Sequence, residues 1–242
     1  MKALTRTLLG MVTPSSNTVL EPLTSMMLAP LYPTVSAHFS RFRVTEISMS
    51  ASALMQFETE KLLAAANLLA DAKPAAIAWN GTSASWLGFA HDESLCAAIE
   101  RETGIPTITS VLTLNELLAS RDITRLGLVT PYHREVQARI IENYAGLGIE
   151  VVGDIHFGET NNFAFAEFDE AFLADRIRLA ARSEPQAITI LCTNLRAAPL
   201  VAELEVELGI PIYDSVAIVV WKALQLAGID SGPLRKWGSL FQ

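Results

Sequence analysis

Gly10-Met11-Val12-Thr13-Pro14, near the start of the chain, returns as Gly127-Leu128-Val129-Thr130-Pro131, at an offset of 117 residues. Each copy reads as a short apolar strand stopped by a Pro/Ser/Thr turn. Two further landmarks recur in the same order. Ala75-Ala76-Ile77-Ala78-Trp79, leading to Gly81-Thr82-Ser83, is matched at an offset of 111 by Gln186-Ala187-Ile188-Thr189-Ile190, leading to Cys192-Thr193-Asn194. Gly104-Ile105-Pro106, followed by Ser110-Val111, is matched at an offset of 105 by Gly209-Ile210-Pro211, followed by Ser215-Val216. A single match of this kind arises by chance; three in the same order, with short deletions between them, indicate a duplicated half-chain.

Between the landmarks each half repeats one grammar. The first strand is followed by helix-period segments, Phe57 to Leu69 in one half and Phe172 to Arg182 in the other. A buried strand comes next, Ile77 to Trp79 or Ile188 to Leu191, with a polar loop at its carboxyl end. A further helix stops at Gly104 or Gly209, and another strand begins. Strands alternating with helices of this length predict βαβ units and parallel sheets. The expected fold class is therefore α/β: two doubly wound parallel-sheet lobes related by internal duplication, with the active site in the cleft between them. The lobes are expected at about residues 1–110 and 111–215. The C-terminal segment 216–242, opening with the apolar helix Val216 to Ala227, is expected to pack back on the first lobe.

Composition narrows the function. The 242 residues carry 18 Lys+Arg against 26 Asp+Glu, a formal charge of −8, which argues against a phosphate backbone or an anionic membrane surface as partner. Aromatic residues make up only 7%, too few for a base-stacking platform. Cys96 and Cys192 stand apart, without C-x-x-C or Cys/His spacing, so neither a disulfide scaffold nor a structural metal site organises the fold. The four histidines, His38, His91, His133 and His156, show no ligand spacing either. Lys2 and Arg6 precede the apolar stretch Leu8 to Val12, which is too short for a signal sequence and reads as a strand. These features predict a cytoplasmic protein with reduced thiols, acting on a small molecule. A homo-oligomer is compatible with the composition, and no stretch marks an interface.

Ligands of open parallel sheets bind beyond the carboxyl ends of the strands. That directs attention to four loops: Pro14 to Asn17, Asn80 to Ser85, Pro131 to Arg134, and Cys192 to Arg196. If a pseudo-twofold relates the halves, Gly81 and Cys192 face each other across the cleft. A free cysteine is most often a small buried hydrophobe. Cys192 instead sits at a strand edge opposite a polar loop, which points to chemistry, whereas Cys96 has the spacing of a helix core. Gly81-Thr82-Ser83 supplies hydroxyls and N–H groups at a helix start, suited to an anion or simply to a cap. Pro14-Ser15-Ser16-Asn17-Thr18 also precedes a helix, with Thr18-x-x-Glu21 as a capping box. Tyr132 either donates into the cleft or reaches solvent, and Asn161-Asn162 reads as a turn. Trp79, Trp86 and Phe89 either shape an aryl pocket or belong to the core. The loops lack a Gly-x-Gly-x-x-Gly or Walker sequence and any His/Asp partner for the thiol, with Arg134 and Arg196 the only charges near. Without a cationic neighbour the thiol stays protonated at neutral pH, and suits a proton donor better than a nucleophile.

At these residues the chain resembles the aspartate/glutamate racemase superfamily, in its maleate cis–trans isomerase and arylmalonate decarboxylase branch. That superfamily places two cysteines across the cleft as paired acid and base. Gly81 stands at the position of the first, and Cys192 at the second. The Gly81-Thr82-Ser83 loop is similar to that of arylmalonate decarboxylase. The resemblance implies that Thr82, Ser83, Tyr132 and the Thr193 backbone N–H hold one carboxylate while the other leaves as CO₂. The enediolate left behind is then protonated on one face by Cys192, with no cofactor and no metal. The Pro14-Ser15-Ser16-Asn17 loop is instead similar to maleate isomerases, where the asparagine contacts a carboxylate, and Asn162 corresponds to a second such asparagine.

Three readings follow. The leading one is a cofactor-independent lyase removing carboxylate from a malonate-type, aryl-substituted dicarboxylic acid. The second is a maleate isomerase or Asp/Glu-type racemase that has replaced its first thiol. The third is a non-catalytic carboxylate-binding protein.

Overall fold

The computed structural model describes residues 6–242, so Lys2 lies outside the described residues. The first half of the chain runs β1 (Thr7–Pro14), α1 (Leu20–Leu28), β2 (Val35–Phe42), α2 (Ala51–Leu54), α3 (Thr59–Ala70), β3 (Ala76–Trp79), α4 (Ala84–Leu87), α5 (Phe89–Thr103), β4 (Thr107–Thr109) and α6 (Ser110–Ser120). The second runs β5 (Arg125–Thr130), α7 (Arg134–Gly146), β6 (Glu150–His156), α8 (Glu170–Ala181), β7 (Ala187–Ile190), α9 (Val201–Leu208), β8 (Ile212–Asp214) and α10 (Ser215–Leu226). Strands pair only in parallel, in two four-stranded sheets of order β2-β1-β3-β4 and β6-β5-β7-β8. Identical strand order in two consecutive halves is the architecture that the sequence repeat predicts.

The repeat extends to individual atoms. Gly10 lies opposite Ile77 in the ladder, and a Cβ there would sit 3.3 Å from both Ile77 Cγ1 and Pro74 Cγ. Gly127 lies opposite Ile188, and its Cβ would sit 3.0 Å from Ile188 Cγ1 and 3.2 Å from Pro185 Cγ. The recurring glycine thus lets the central strand accept a proline and an isoleucine from its neighbour. Helices α5 and α9 both end on a left-handed glycine, Gly104 (φ 69°) and Gly209 (φ 67°), a conformation that carries no Cβ penalty there. In each half a glutamate near that helix end, Glu100 or Glu205, accepts the first backbone N–H of the next strand at 2.8 Å.

Local differences from the sequence pattern have physical reasons. The helix expected from Phe57 begins at Thr59, because Met55–Phe57 forms a 3-10 turn and Glu58 is extended. The Thr18/Glu21 capping box does not form. Asn17 Oδ1 accepts both the Val19 and Leu20 N–H groups at 2.9 Å, and Glu21 pairs with Arg41 at 2.7 Å instead. Strands β2 and β6 are edge strands, only partly buried, and lie outside the recurring landmarks; β2 alternates Val35, Ala37 and Phe39 with Ser36, His38 and Ser40, whereas β6 has no apolar alternation. Helix α10 is capped by Asp214, whose Oδ1 accepts from Val216 and Ala217. It packs on β3, β4, α1 and α6, as well as on β8. No helix among the described residues is long and apolar enough to cross a membrane.

Gly153 is the tightest backbone approach in the second sheet, since a Cβ there would meet the Ala180 carbonyl oxygen at 2.6 Å. That neighbour is backbone at the end of α8 and cannot rotate away. Gly153→Ala is expected to lower the unfolding free energy by about 1–3 kcal/mol, the usual cost of overpacking, read by urea denaturation. An unchanged midpoint would show that α8 can slide on the sheet.

Candidate active site

The carboxyl ends of β1, β3, β5 and β7 deliver their loops to one small cavity between the two sheets. Its walls include Pro14, Gly81, Thr82, Ser83, Tyr132, Cys192 and Thr193. Val44, Ile47, Phe57, Trp79, Trp86 and Asn162 complete it. Its volume is about 20 Å³, the room of a single water molecule. One wall is a strap, where Ile47 N–H donates to the Thr160 carbonyl at 2.8 Å and Asn162 N–H donates to the Thr45 carbonyl at 3.0 Å.

Hydrogen bonds across the cleft hold the loops in place. The Thr193 hydroxyl donates to the Asn80 carbonyl at 3.0 Å and accepts from the Asn17 amide at 3.0 Å. Thr18 N–H donates to Asn194 Oδ1 at 3.0 Å, while the Asn194 amide donates to the Asn162 carbonyl. Thr82 and Tyr132 pair through their hydroxyls at 2.6 Å. Tyr132 is 2% exposed, so its phenol points inward, not to solvent.

Most of the residues singled out from sequence meet here, though not all are free to bind. Asn17 is consumed by the α1 cap and by Thr193. Asn162 lines the cavity, and its amide donates to Ser16 Oγ at 2.7 Å. Ser15 exchanges hydrogen bonds with the Val44 backbone and does not line the cavity. Phe89 packs on Tyr144 at 5.4 Å between ring centroids, outside the site. Arg134 is exposed, and Arg196 donates to the Phe168 carbonyl, so neither cation lines the cavity. Neither Thr82 nor Ser83 caps α4 through its side chain. Ser83 Oγ has no hydrogen-bond partner among the described residues, and the same holds for Trp79 Nε1 and Trp86 Nε1. The backbone N–H groups of Thr82, Ser83 and Thr193 likewise donate to no backbone acceptor among the described residues. The site therefore presents unused donors and no lining cation. Val44, Ile47 and Phe57 were not legible as site residues, because they come from the long connection after β2 and carry no motif.

Cys192 is 2% exposed. Burial pushes its thiol up to about 12, opposed by the Asn194 backbone N–H, 3.4 Å from Sγ, and by the Tyr132 hydroxyl, while the Asp214 carboxylate adds to the rise. Tyr132 is raised well above its usual range by burial first and by Cys192 second. Both groups hold their protons at neutral pH. Across the cleft, Gly81 has no room for a side chain, since a Cβ would lie 2.0 Å from Trp79 Cζ2 and 2.5 Å from Cε2. The Trp79 ring, held 5.1 Å from the Phe42 ring, fills the place a residue-81 side chain would take. No cluster of three or more His, Cys, Asp or Glu able to hold a metal occurs among the described residues.

Two parallel sheets thus meet at one cavity lined by a single thiol. The profile of the family described as arylmalonate decarboxylase matches residues 9–240, and the chain belongs to that family. It is 29% identical over 170 residues to an arylmalonate decarboxylase of Bordetella bronchiseptica, covering 69% of this chain and 71% of the relative. It is 25% identical over 228 residues to a maleate isomerase of Geobacillus stearothermophilus, covering 90% of each. The crystal structure of an arylmalonate decarboxylase superposes with a TM-score of 0.78 at 26% identity, over 97% of this chain and 98% of that one. A maleate isomerase from Pseudomonas putida superposes with a TM-score of 0.84 at 20% identity, over 97% and 98%. Its relatives are thus enzymes of two kinds, decarboxylases and isomerases.

Two outcomes follow from this geometry. Gly81→Ala should lose about 1–3 kcal/mol by overpacking. Combined with Trp79→Leu it should cost less than the two single losses added, by a coupling of about 1 kcal/mol or more. Additive losses in urea unfolding would show that the indole does not occupy that space. For the thiol, iodoacetamide at neutral pH should label Cys192 in denaturant and leave it unlabelled in the native protein; rapid native alkylation would mean an exposed, ionised sulfur.

Proposed function

We propose that this protein is a cofactor-independent decarboxylase of a malonate-type, aryl-substituted dicarboxylic acid. The observation that carries this reading is the one-sidedness of the site: one buried, protonated thiol faces a glycine whose side-chain space is filled by an indole. Two-base racemisation needs a second acid/base on that wall, and covalent addition to a double bond needs a thiolate. A lone protonated thiol serves a reaction that requires one proton on one face.

In this reading the substrate places one carboxylate against Ser83 Oγ and the backbone N–H groups of Thr82, Ser83 and Thr193. Thr82 and Tyr132 stand behind them. The second carboxylate lies among Val44, Ile47 and Phe57, where apolar walls and the absence of a lining cation raise the energy of its charged form. The C–C bond breaks and CO₂ departs with no net charge. The electron pair moves into the remaining carboxylate as an enediolate, stabilised by the same donors. Cys192 then transfers its proton to the α-carbon, and solvent reprotonates the thiolate. The sequence requires a reduced thiol and so a reducing compartment such as the cytoplasm.

The competing reading is maleate cis–trans isomerisation, favoured by Asn162 lining the cavity and by Asn17 reaching Thr193 beside it. Proton NMR in D₂O with phenylmalonate, methylphenylmalonate, maleate, L-aspartate and L-glutamate separates the two. A malonate should disappear with formation of an α-deuterated monoacid of one hand. Cys192→Ala should slow that turnover by about 10²–10⁴-fold, the usual contribution of a positioned general acid. Fumarate from maleate, or deuterium entering an amino acid without loss of CO₂, would overturn the lyase reading, as would full activity in Cys192→Ala.

A further inference from the structure

Buried polar atoms are almost always paired, and an unpaired one costs roughly 1–3 kcal/mol. Three residues that line this cavity nevertheless carry an unpaired buried donor: Trp79 Nε1, Trp86 Nε1 and Ser83 Oγ. Trp79 and Ser83 are 0% exposed and Trp86 is 3% exposed, so bulk water does not satisfy them. The hydroxyls of Thr82, Tyr132 and Thr193, by contrast, are already engaged with protein partners. The six-membered ring of Trp79 lies over Gly81, with Cζ2, Cη2 and Cε2 at 2.0, 2.4 and 2.5 Å from where a Cβ would stand. Trp86 packs edge-on against Tyr132, 5.1 Å between centroids, and against Phe57 at 6.0 Å.

We infer that the indole N–H groups of Trp79 and Trp86 are ligand-binding donors that complete, with Ser83, the anion site of this cleft. The inference rests on the carboxylate-binding reading above and extends it to two residues that otherwise pass for core. An indole N–H donates and never accepts, and brings no formal charge. Such donors bind a carboxylate oxygen while keeping the site free of a cation that would equally stabilise the departing carboxylate. Trp79 thereby has two roles in one ring: it removes the room for a second acid/base at residue 81 and replaces it with a donor.

The test uses the full chain and its four tryptophan indoles, Trp79, Trp86, Trp221 and Trp237. Indole ¹H–¹⁵N resonances are followed during titration with phenylacetate, a monoacid that cannot be decarboxylated to an enediolate, and separately with malonate. Trp221→Phe and Trp237→Phe assign the two resonances outside the cavity without touching the site. On saturation, the Trp79 and Trp86 N–H signals should move downfield, while those of Trp221 and Trp237 stay in place. Trp79→Phe, which keeps a ring and loses the donor, should weaken phenylacetate binding roughly tenfold or more, as for loss of a hydrogen bond to a charged group. Cavity indoles that stay still while backbone amides of Thr82 and Thr193 report binding would overturn the inference and leave a trapped water as their partner. Failure of both acids to bind would overturn it as well. Should the variant fail to fold, the wild-type titration decides alone. Indole shifts without malonate turnover would count against the decarboxylase reading only; turnover without indole shifts would count against this inference only.

Discussion

The Thr193 hydroxyl, donating to the Asn80 carbonyl across the cleft and accepting from the Asn17 amide, ties three strand-end loops from two sheets into one unit. Each sheet has its own hydrogen-bonded ladder, so nothing in the ladders sets how the sheets meet. Helix packing between the halves, as of α10 on β3, β4, α1 and α6, brings the sheets together, and polar groups at the carboxyl ends, buried and costly to leave unpaired, fix how the loops meet. Asn194, bridging Thr18 and Asn162, repeats the constraint from the other side. Where these loops are pinned, Cys192 and Gly81 line one cavity.

Pinning by neutral groups also sets the electrostatics. The cavity is lined by hydroxyls, amides and rings, with Cys192 and Tyr132 as its titratable members. Burial raises both, so the resting site is uncharged and its thiol is a stored proton. Donors without a cation favour a reaction in which charge moves from one end of the substrate to the other. Beside the cavity, two backbone hydrogen bonds join Thr45–Ile47 to Thr160–Asn162.

The duplicated plan was legible because the repeat is written in backbone-determining residues. Gly104 and Gly209 take the left-handed turn at their helix ends, Pro14 and Pro131 stop the first strand of each half, and Gly10 and Gly127 leave room for the neighbouring strand. Cys192 and the Gly81-Thr82-Ser83 loop were legible for a related reason, since residues at the carboxyl end of a parallel strand are placed by topology. The edge strands β2 and β6 lie outside the recurring landmarks, and of the two only β2 carries a period-2 apolar alternation, at Val35, Ala37 and Phe39. Val44, Ile47 and Phe57 were invisible because they reach the cavity from a connection whose path depends on its partners across the cleft. The Thr18/Glu21 box failed because Arg41, brought alongside by β2, competes for Glu21.

By itself, then, the sequence determined two parallel α/β lobes, a thiol at one strand edge and a glycine at its counterpart. Those follow from local backbone preference and from a period repeated along the chain. What only the tertiary structure decided is what each polar group is free to do. Asn17 became a cap, Ser15 a brace for the strap, and Trp79 the occupant of the space beside Gly81. Sequence lists donors and acceptors, but their pairing depends on contacts between residues far apart in the chain, and burial decides which of them remain unpaired.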